Sequence, residues 1–365
     1  MKRNIVIILL IAAGGAGAWW YAVQMKRVEE PVSLHVPEVL RSTGAKYAAT
    51  DSLAACRLPN GDVRLFATMK KGDRLEVFDA ATGRHVRSLG KTGGAIGEFR
   101  YPNGLAIVHF RSGSDPQSSR SSRPVLAVVE RDNARVQCFF ADDLSPAGVF
   151  GHGDLTKPYG IAVSCVEDAP VAIITDGNGK GGHFAFAYRL RLTDGRVEPG
   201  LARSFGDSDG TGAINEPESI VVDDEHERIL FCDEDDLNVK VYTIDGKFTG
   251  TTFADEIIFG EPEGIALMSG GPSTGDSSKG TSGPSGGWVI LTDQREDLTV
   301  WHVFDREDYR RIGTFTGAPA IANTDGICIL AEPFGPFRAG ALFAVHDDQE
   351  IRGYDLADVT NQMGG

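Results

Sequence analysis

Six times along this 365-residue chain one short pattern returns: a small or turn-forming residue, a variable residue, glycine or serine, and then an apolar run. The copies are Thr50-Asp51-Ser52, Pro102-Asn103-Gly104, Pro158-Tyr159-Gly160, Pro217-Glu218-Ser219, Pro262-Glu263-Gly264 and Thr324-Asp325-Gly326. Their variable positions lie 52, 56, 59, 45 and 62 residues apart. A period of that size marks a repeat architecture, in which each unit is one supersecondary element stacked on its neighbours. A second apolar strand ending in polar residues follows each copy, at 65–70, 126–131, 173–176, 230–234, 289–294 and 342–347. Third strands (75–78, 239–242, 298–302) and fourth strands (85–89, 202–205, 310–315) come next. Four antiparallel strands in each of six units predict an all-β chain, a six-bladed β-propeller.

The last unit runs out of chain after 351–356, too early for a fourth strand, and an uncovered sheet edge invites mispairing. The segment 33–49 is long enough to close the ring from the N-terminal side. The expected layout is therefore a linker and closing strand over 28–46, the propeller over 47–358 and a tail over 359–365. Two Gly/Ser-rich stretches, 111–124 and 269–287, fall between first and second strands and read as insertion loops. Ahead of all this, Lys2 and Arg3 precede an apolar run over 5–23, so residues 1–27 read as a signal peptide or membrane anchor. An exported protein, periplasmic or anchored facing that side, is expected, with the membrane met only through this segment.

Composition narrows the partners. Lys and Arg number 36 against 51 Asp and Glu, a net charge of −15, which argues against nucleic acid because phosphate backbones are held by clustered bases. Five cysteines (Cys56, Cys138, Cys165, Cys232, Cys328) show no metal-ligand spacing and read as free buried thiols. No phosphate-cradling glycine loop, Ser-His-Asp arrangement or HExxH helix is present. A monomer is expected.

The innermost strand of a propeller blade lines the central channel, so the six variable positions form a ring: Asp51, Asn103, Tyr159, Glu218, Glu263 and Asp325. Four carboxylates that close repel one another unless a cation compensates, and oxygen donors without thiols favour calcium or magnesium. A second ring, at the ends of the second strands, reads Lys70, Arg131, Asp176, Glu234, Gln294 and Asp347, with Glu261 adding to its acidic side. Asp235, Asp236, Asp348 and Glu296 read as solvated turn residues. An acidic, cation-binding side next to a basic side suits a phosphate ester, with a metal-activated water as nucleophile.

These residues resemble the β-propeller phytases, calcium-dependent phosphatases of inositol phosphates. The stretches that carry the resemblance run from Leu65 to Gly72, Glu218 to Glu225 with Asp233-Glu234-Asp235, Thr324 to Ile327, and Phe334 to Asp347. The resemblance implies calcium ligands at Asp51, Tyr159, Glu218, Glu234, Glu261, Glu263, Gln294, Asp325 and Asp347. It implies phosphate-binding residues at Lys70, Lys71, Arg131 and Lys180, and a catalytic group of Glu218, Tyr159, Lys70 and Arg131. The substrate expected from it is a small phosphorylated molecule such as an inositol phosphate. Where the family pairs two aspartates in its first blade this chain has Asp51-Ser52, and in the second blade Asn103-Gly104 replaces the family's paired asparagines and aspartate. At least one calcium site is expected to be weakened. The alternative reading is a non-catalytic envelope propeller resembling NHL-repeat proteins, which the run from Gly97 to Ala106 resembles; a third is a calcium-dependent sugar-lactone hydrolase.

Overall fold

Short runs rich in Val, Ile, Leu and Phe, punctuated by Gly, Asn and Asp turns, favour strands over helices. The computed structural model describes residues 32–110, 123–165, 169–177, 182–269 and 286–363. The expected signal or anchor at 1–27, Lys180, and most of the two insertion loops lie outside the described residues.

Four units each form a separate antiparallel four-stranded sheet in chain order. The first comprises β2 (Thr50–Arg57), β3 (Val63–Met69), β4 (Arg74–Asp79) and β5 (His85–Leu89). The second comprises β6 (Pro102–Val108), β7 (Val125–Glu130), β8 (Arg135–Phe140) and β9 (Pro146–Phe150). The third holds β10 (Pro158–Ser164), β11 (Val171–Asp176), β12 (Ala185–Thr193) and β13 (Arg196–Phe205). The fourth holds β14 (Pro217–Asp223), β15 (Arg228–Asp233), β16 (Asn238–Thr243) and β17 (Phe248–Phe253).

The remaining strands share one eight-stranded sheet. It joins β18 (Glu261–Ser269), β19 (Gly287–Gln294), β20 (Val300–Asp305) and β21 (Arg311–Ala318) to β22 (Ile327–Leu330), β23 (Ala341–His346) and β24 (Glu350–Asp355). The join is β1 (His35–Arg41), antiparallel to β24 and parallel to β21. The N-terminal strand thus covers the edge that the last unit leaves open. Of the tail expected at 359–365, residues 359–363 belong to helix α1 (Leu356–Met363), whose buried Leu356 and Val359 and nearby Met363 pack on the core beside β1. Asp355 caps it, accepting the Ala357 amide.

The core is distributed. Among the described residues six apolar clusters each lie between two consecutive units, the last joining β23 and β24 back to β3. The inner strands meet in a closed order, β2 to β6, β10, β14, β18, β22 and back to β2.

That closure explains the repeated glycine. A Cβ on Gly104, Gly160, Gly264 or Gly326 would crowd the backbone carbonyl of Tyr159, Glu218, Asp325 or Asp51, the variable residue of the next unit. Neighbouring inner strands approach so closely there that a side chain has no room. Gly326→Ala is accordingly expected to lower stability by about 1–3 kcal/mol, the usual penalty of overpacking. Gly200→Ala, whose Cβ meets only ordinary contact with Arg189 O, serves as the control in the same urea titration. Equal stability of the two variants would contradict the close approach.

Candidate metal centre

Each of the first five inner strands begins with a register shift, between Thr50 and Leu53, Pro102 and Leu105, Pro158 and Ile161, Pro217 and Ile220, and Pro262 and Ile265. The variable residue therefore sits in a bulge, a device that re-aims a side chain out of the sheet's alternation. A threonine of the second strand fastens two of these bulges: Thr68 Oγ1 accepts the Ser52 amide and Thr175 Oγ1 the Gly160 amide. The result is a cavity of about 70 Å³ lined by Asp51, Tyr159, Glu218, Glu263 and Asp325. Asn103 occupies the equivalent position in β6, fully buried, with both side-chain polar atoms unpartnered.

Two carboxylate triads each include one residue that lines this cavity: Glu216, Glu218 and Glu234, and Glu234, Glu261 and Glu263, in each of which the donor oxygens lie within 4.8 Å of one another. Glu234 belongs to both. Burial first, then the charges of Glu234 and Asp51, raise Glu218 well above the usual carboxylate range, although a hydrogen bond from Tyr159 opposes this. Glu263 is likewise raised by burial and by Glu218 and Asp325. Asp51, buried beside Lys70, is raised to about 7 because desolvation outweighs the lysine's attraction. Tyr159 is pushed upward by burial and by the surrounding carboxylates, so its phenol stays protonated and serves as a donor.

The second ring divides differently from its sequence reading. Lys70 is not free to face solvent: its Nζ lies 2.6 Å from Asp325 Oδ2 and 3.5 Å from Asp51 Oδ1. Gln294 donates 2.9 Å hydrogen bonds to Asp325 Oδ1 and Asn323 Oδ1, and Asn323 in turn donates to Asp348. Asp348 is therefore tied into the cluster rather than a solvated turn residue, and Asp347, exposed with φ at 54°, is in neither triad. Asp236, also read as solvated, is ion-paired to Lys240. Arg131 stacks over the Tyr101 ring at 3.5 Å and pairs with Asp132; Lys71 is exposed.

Asp176 leaves the ring altogether. The second-strand ends align Glu130, Asp176, Asp233 and Asp293 with Pro102, Pro158, Pro217 and Pro262, so Gly177, not Asp176, is the counterpart of Glu234. These four carboxylates are fully buried and accept backbone amides of the loop that leads into their own unit: Arg100, Thr156 and Lys157, Asn215 and Glu216, and Phe259 and Gly260. They are structural anchors, and two of them hold the loops that carry Glu216 and Glu261. Asp293 shows the consequence: burial would raise it, but hydrogen bonds from His302, Arg295 and Gly260 hold it below the usual range. Of the five cysteines expected to be buried, Cys165 is exposed and Cys328 only partly buried.

Glu216 is the residue the sequence reading missed. Its signal was present, since Glu216-Pro217-Glu218 repeats as Glu261-Pro262-Glu263 in the next unit.

No family model matches the sequence, and no curated protein matches it. Among solved structures, the chain is similar to one described as BBS1N in complex with ARL6DN, soaked with mercury, at a TM-score of 0.51 and 12% identity. The similarity covers 88% of this chain and 96% of that one. The fold is a β-propeller. At that identity the likeness speaks for the propeller and for nothing that happens on it.

Proposed function

We propose that the chain is a six-bladed propeller that binds calcium at the mouth of its axial cavity and hydrolyses phosphate monoesters there, with an inositol phosphate as the substrate expected from its resemblance to β-propeller phytases. The eight-stranded sheet counts as two blades welded by β1. The 1–27 segment carries the export or anchor reading. The observation that carries the functional proposal is the pair of carboxylate triads sharing Glu234.

The donor set fits a hard cation. It is all oxygen, and Asp51 Oδ2 and Glu218 Oε2 are buried without a hydrogen-bond partner, a condition that is costly for a carboxylate unless something positive meets it. Glu216, Glu218, Glu234, Glu261 and Glu263 would hold calcium, and Asp51 and Asp325, which line the same cavity, would complete the donor set. When bound, it supplies positive charge for phosphoryl oxygens and acidifies water. The chain's own groups do the rest. As water bonds to phosphorus and the P–O bond to the leaving alcohol breaks, the Glu218 carboxylate would accept one proton of that water, the leaving oxygen taking a proton from solvent. Tyr159 donates from its phenol, and the Arg131 guanidinium, braced on Tyr101, grips a phosphate group.

Calorimetric titration of metal-stripped protein with calcium tests the site. Wild type is expected to bind more than one ion, and Glu234→Gln, which removes the shared carboxylate, to lose about tenfold or more in affinity. Identical isotherms would remove Glu234 from the site. The second reading, a non-catalytic propeller, is favoured by one observation: Lys70, a phosphate-binding residue in the first reading, is engaged by two carboxylates.

A further inference from the structure

Lys70 opens a short 3-10 turn (Lys70–Gly72) at the end of β3, and its amide donates to Ala49 O, just ahead of Asp51. From there the side chain reaches Asp325, 255 residues away in sequence, and is only 14% exposed. Burial pulls the ammonium's proton affinity down, but Asp51, Asp325 and Glu263 together outweigh it and raise it. A lysine held this way occupies the carboxylate oxygens of Asp325 and Asp51 that a metal would use.

One positive charge nevertheless serves several acids. Asp51 Oδ2 keeps no partner, and Glu218 and Glu263 line the same cavity. A divalent ion is the stronger counter-charge for such a cluster, and two cations on one pair of carboxylates repel.

We propose that Lys70 is the ring's built-in counter-cation: it competes with calcium for Asp325 and Asp51, and is released toward a bound phosphate group when calcium takes them. The inference rests on the calcium reading above and adds to it a coupling between the two ligands. Lys70 neutralises the ring in the metal-free protein and becomes an anion-binding residue in the loaded one. Because linkage is reciprocal, a phosphate that engages the released ammonium would strengthen calcium binding by the same factor.

Two measurements on the full chain test it. Calcium titration by calorimetry compares wild type with Lys70→Gln, and amine-reactive labelling followed by peptide mass spectrometry reads Lys70 in unaltered wild type with calcium and with chelator. Tighter calcium binding by Lys70→Gln, about tenfold, together with faster Lys70 labelling in calcium, is expected. Equal calcium affinity in the two proteins with unchanged labelling overturns the competition and leaves the calcium reading standing. Failure of calcium to bind either protein overturns both. The labelling arm needs no substitution, so a poorly folding variant does not remove the test.

Discussion

Lys240→Met is expected to destabilise the protein by about 3–5 kcal/mol, the range found when one partner of a buried ion pair is removed. Lys240 and Asp233 are each at most 1% exposed, and Lys240 Nζ lies 2.7 Å from Asp233 Oδ2 and 2.5 Å from Asp236 Oδ2 while also donating to Ala213 O. Methionine fills similar volume and leaves the Asp233 carboxylate buried, with backbone amides of Asn215, Glu216 and Asp236 as its remaining donors. The double variant Asp233→Asn/Lys240→Met removes both charges and is expected to recover part of the loss. Urea unfolding with an unchanged m value gives the comparison. A single-variant loss below about 1 kcal/mol would mean that Asp233 is not dependent on its lysine. The effect reaches the site as well, because Asp233 anchors the loop that presents Glu216.

The metal-free protein is expected to become more stable as pH falls from about 7 toward 4.5. Asp51, at about 7, and Glu218, Glu263, Glu234 and Asp348, all raised first by burial, bind protons in the folded chain before they do in the unfolded one. Over that window the native state carries more protons, so stability rises as pH falls, by about 3 kcal/mol in all. His302, which burial holds below its ordinary value, works in the opposite direction but is a single group. Asp223, Asp293 and Asp355 are depressed, buried acids held by Arg306, His302 and Arg338 among others, and their contribution is lost only below about pH 4. With calcium bound the slope is expected to reverse, since protonation would then displace a stabilising ligand. Thermal melts at three pH values with chelator and with calcium decide it; a slope of the same sign in both would count against a metal at these carboxylates.

What could be read from the sequence was whatever the repeat carried. The inner strands and their ring of Asp51, Tyr159, Glu218, Glu263 and Asp325 were legible because one short pattern recurs every 45 to 62 residues, and where glycine follows the variable residue it is demanded by the neighbouring strand. The second ring was legible only in part. The apolar run ending in Asp176 looks like the run ending in Glu234 until the pairing with Pro158 fixes its register one residue earlier. Asp176, read as a ring member, is buried instead, and with Glu130, Asp233 and Asp293 it pins the entry loops. The Lys70–Asp325 contact was out of reach for another reason. It exists because the ring closes, bringing the first and last units together, and no local pattern encodes it.

Phosphate release from inositol hexakisphosphate and from a simple aryl phosphate, measured for wild type and Glu218→Gln in calcium and in chelator, is the decisive measurement for calcium-dependent hydrolysis at this site. Turnover is expected in calcium alone, lowered about a hundredfold or more when Glu218 loses its proton-accepting carboxylate. Absence of calcium-dependent turnover on either ester, or turnover undiminished by chelator, would contradict it.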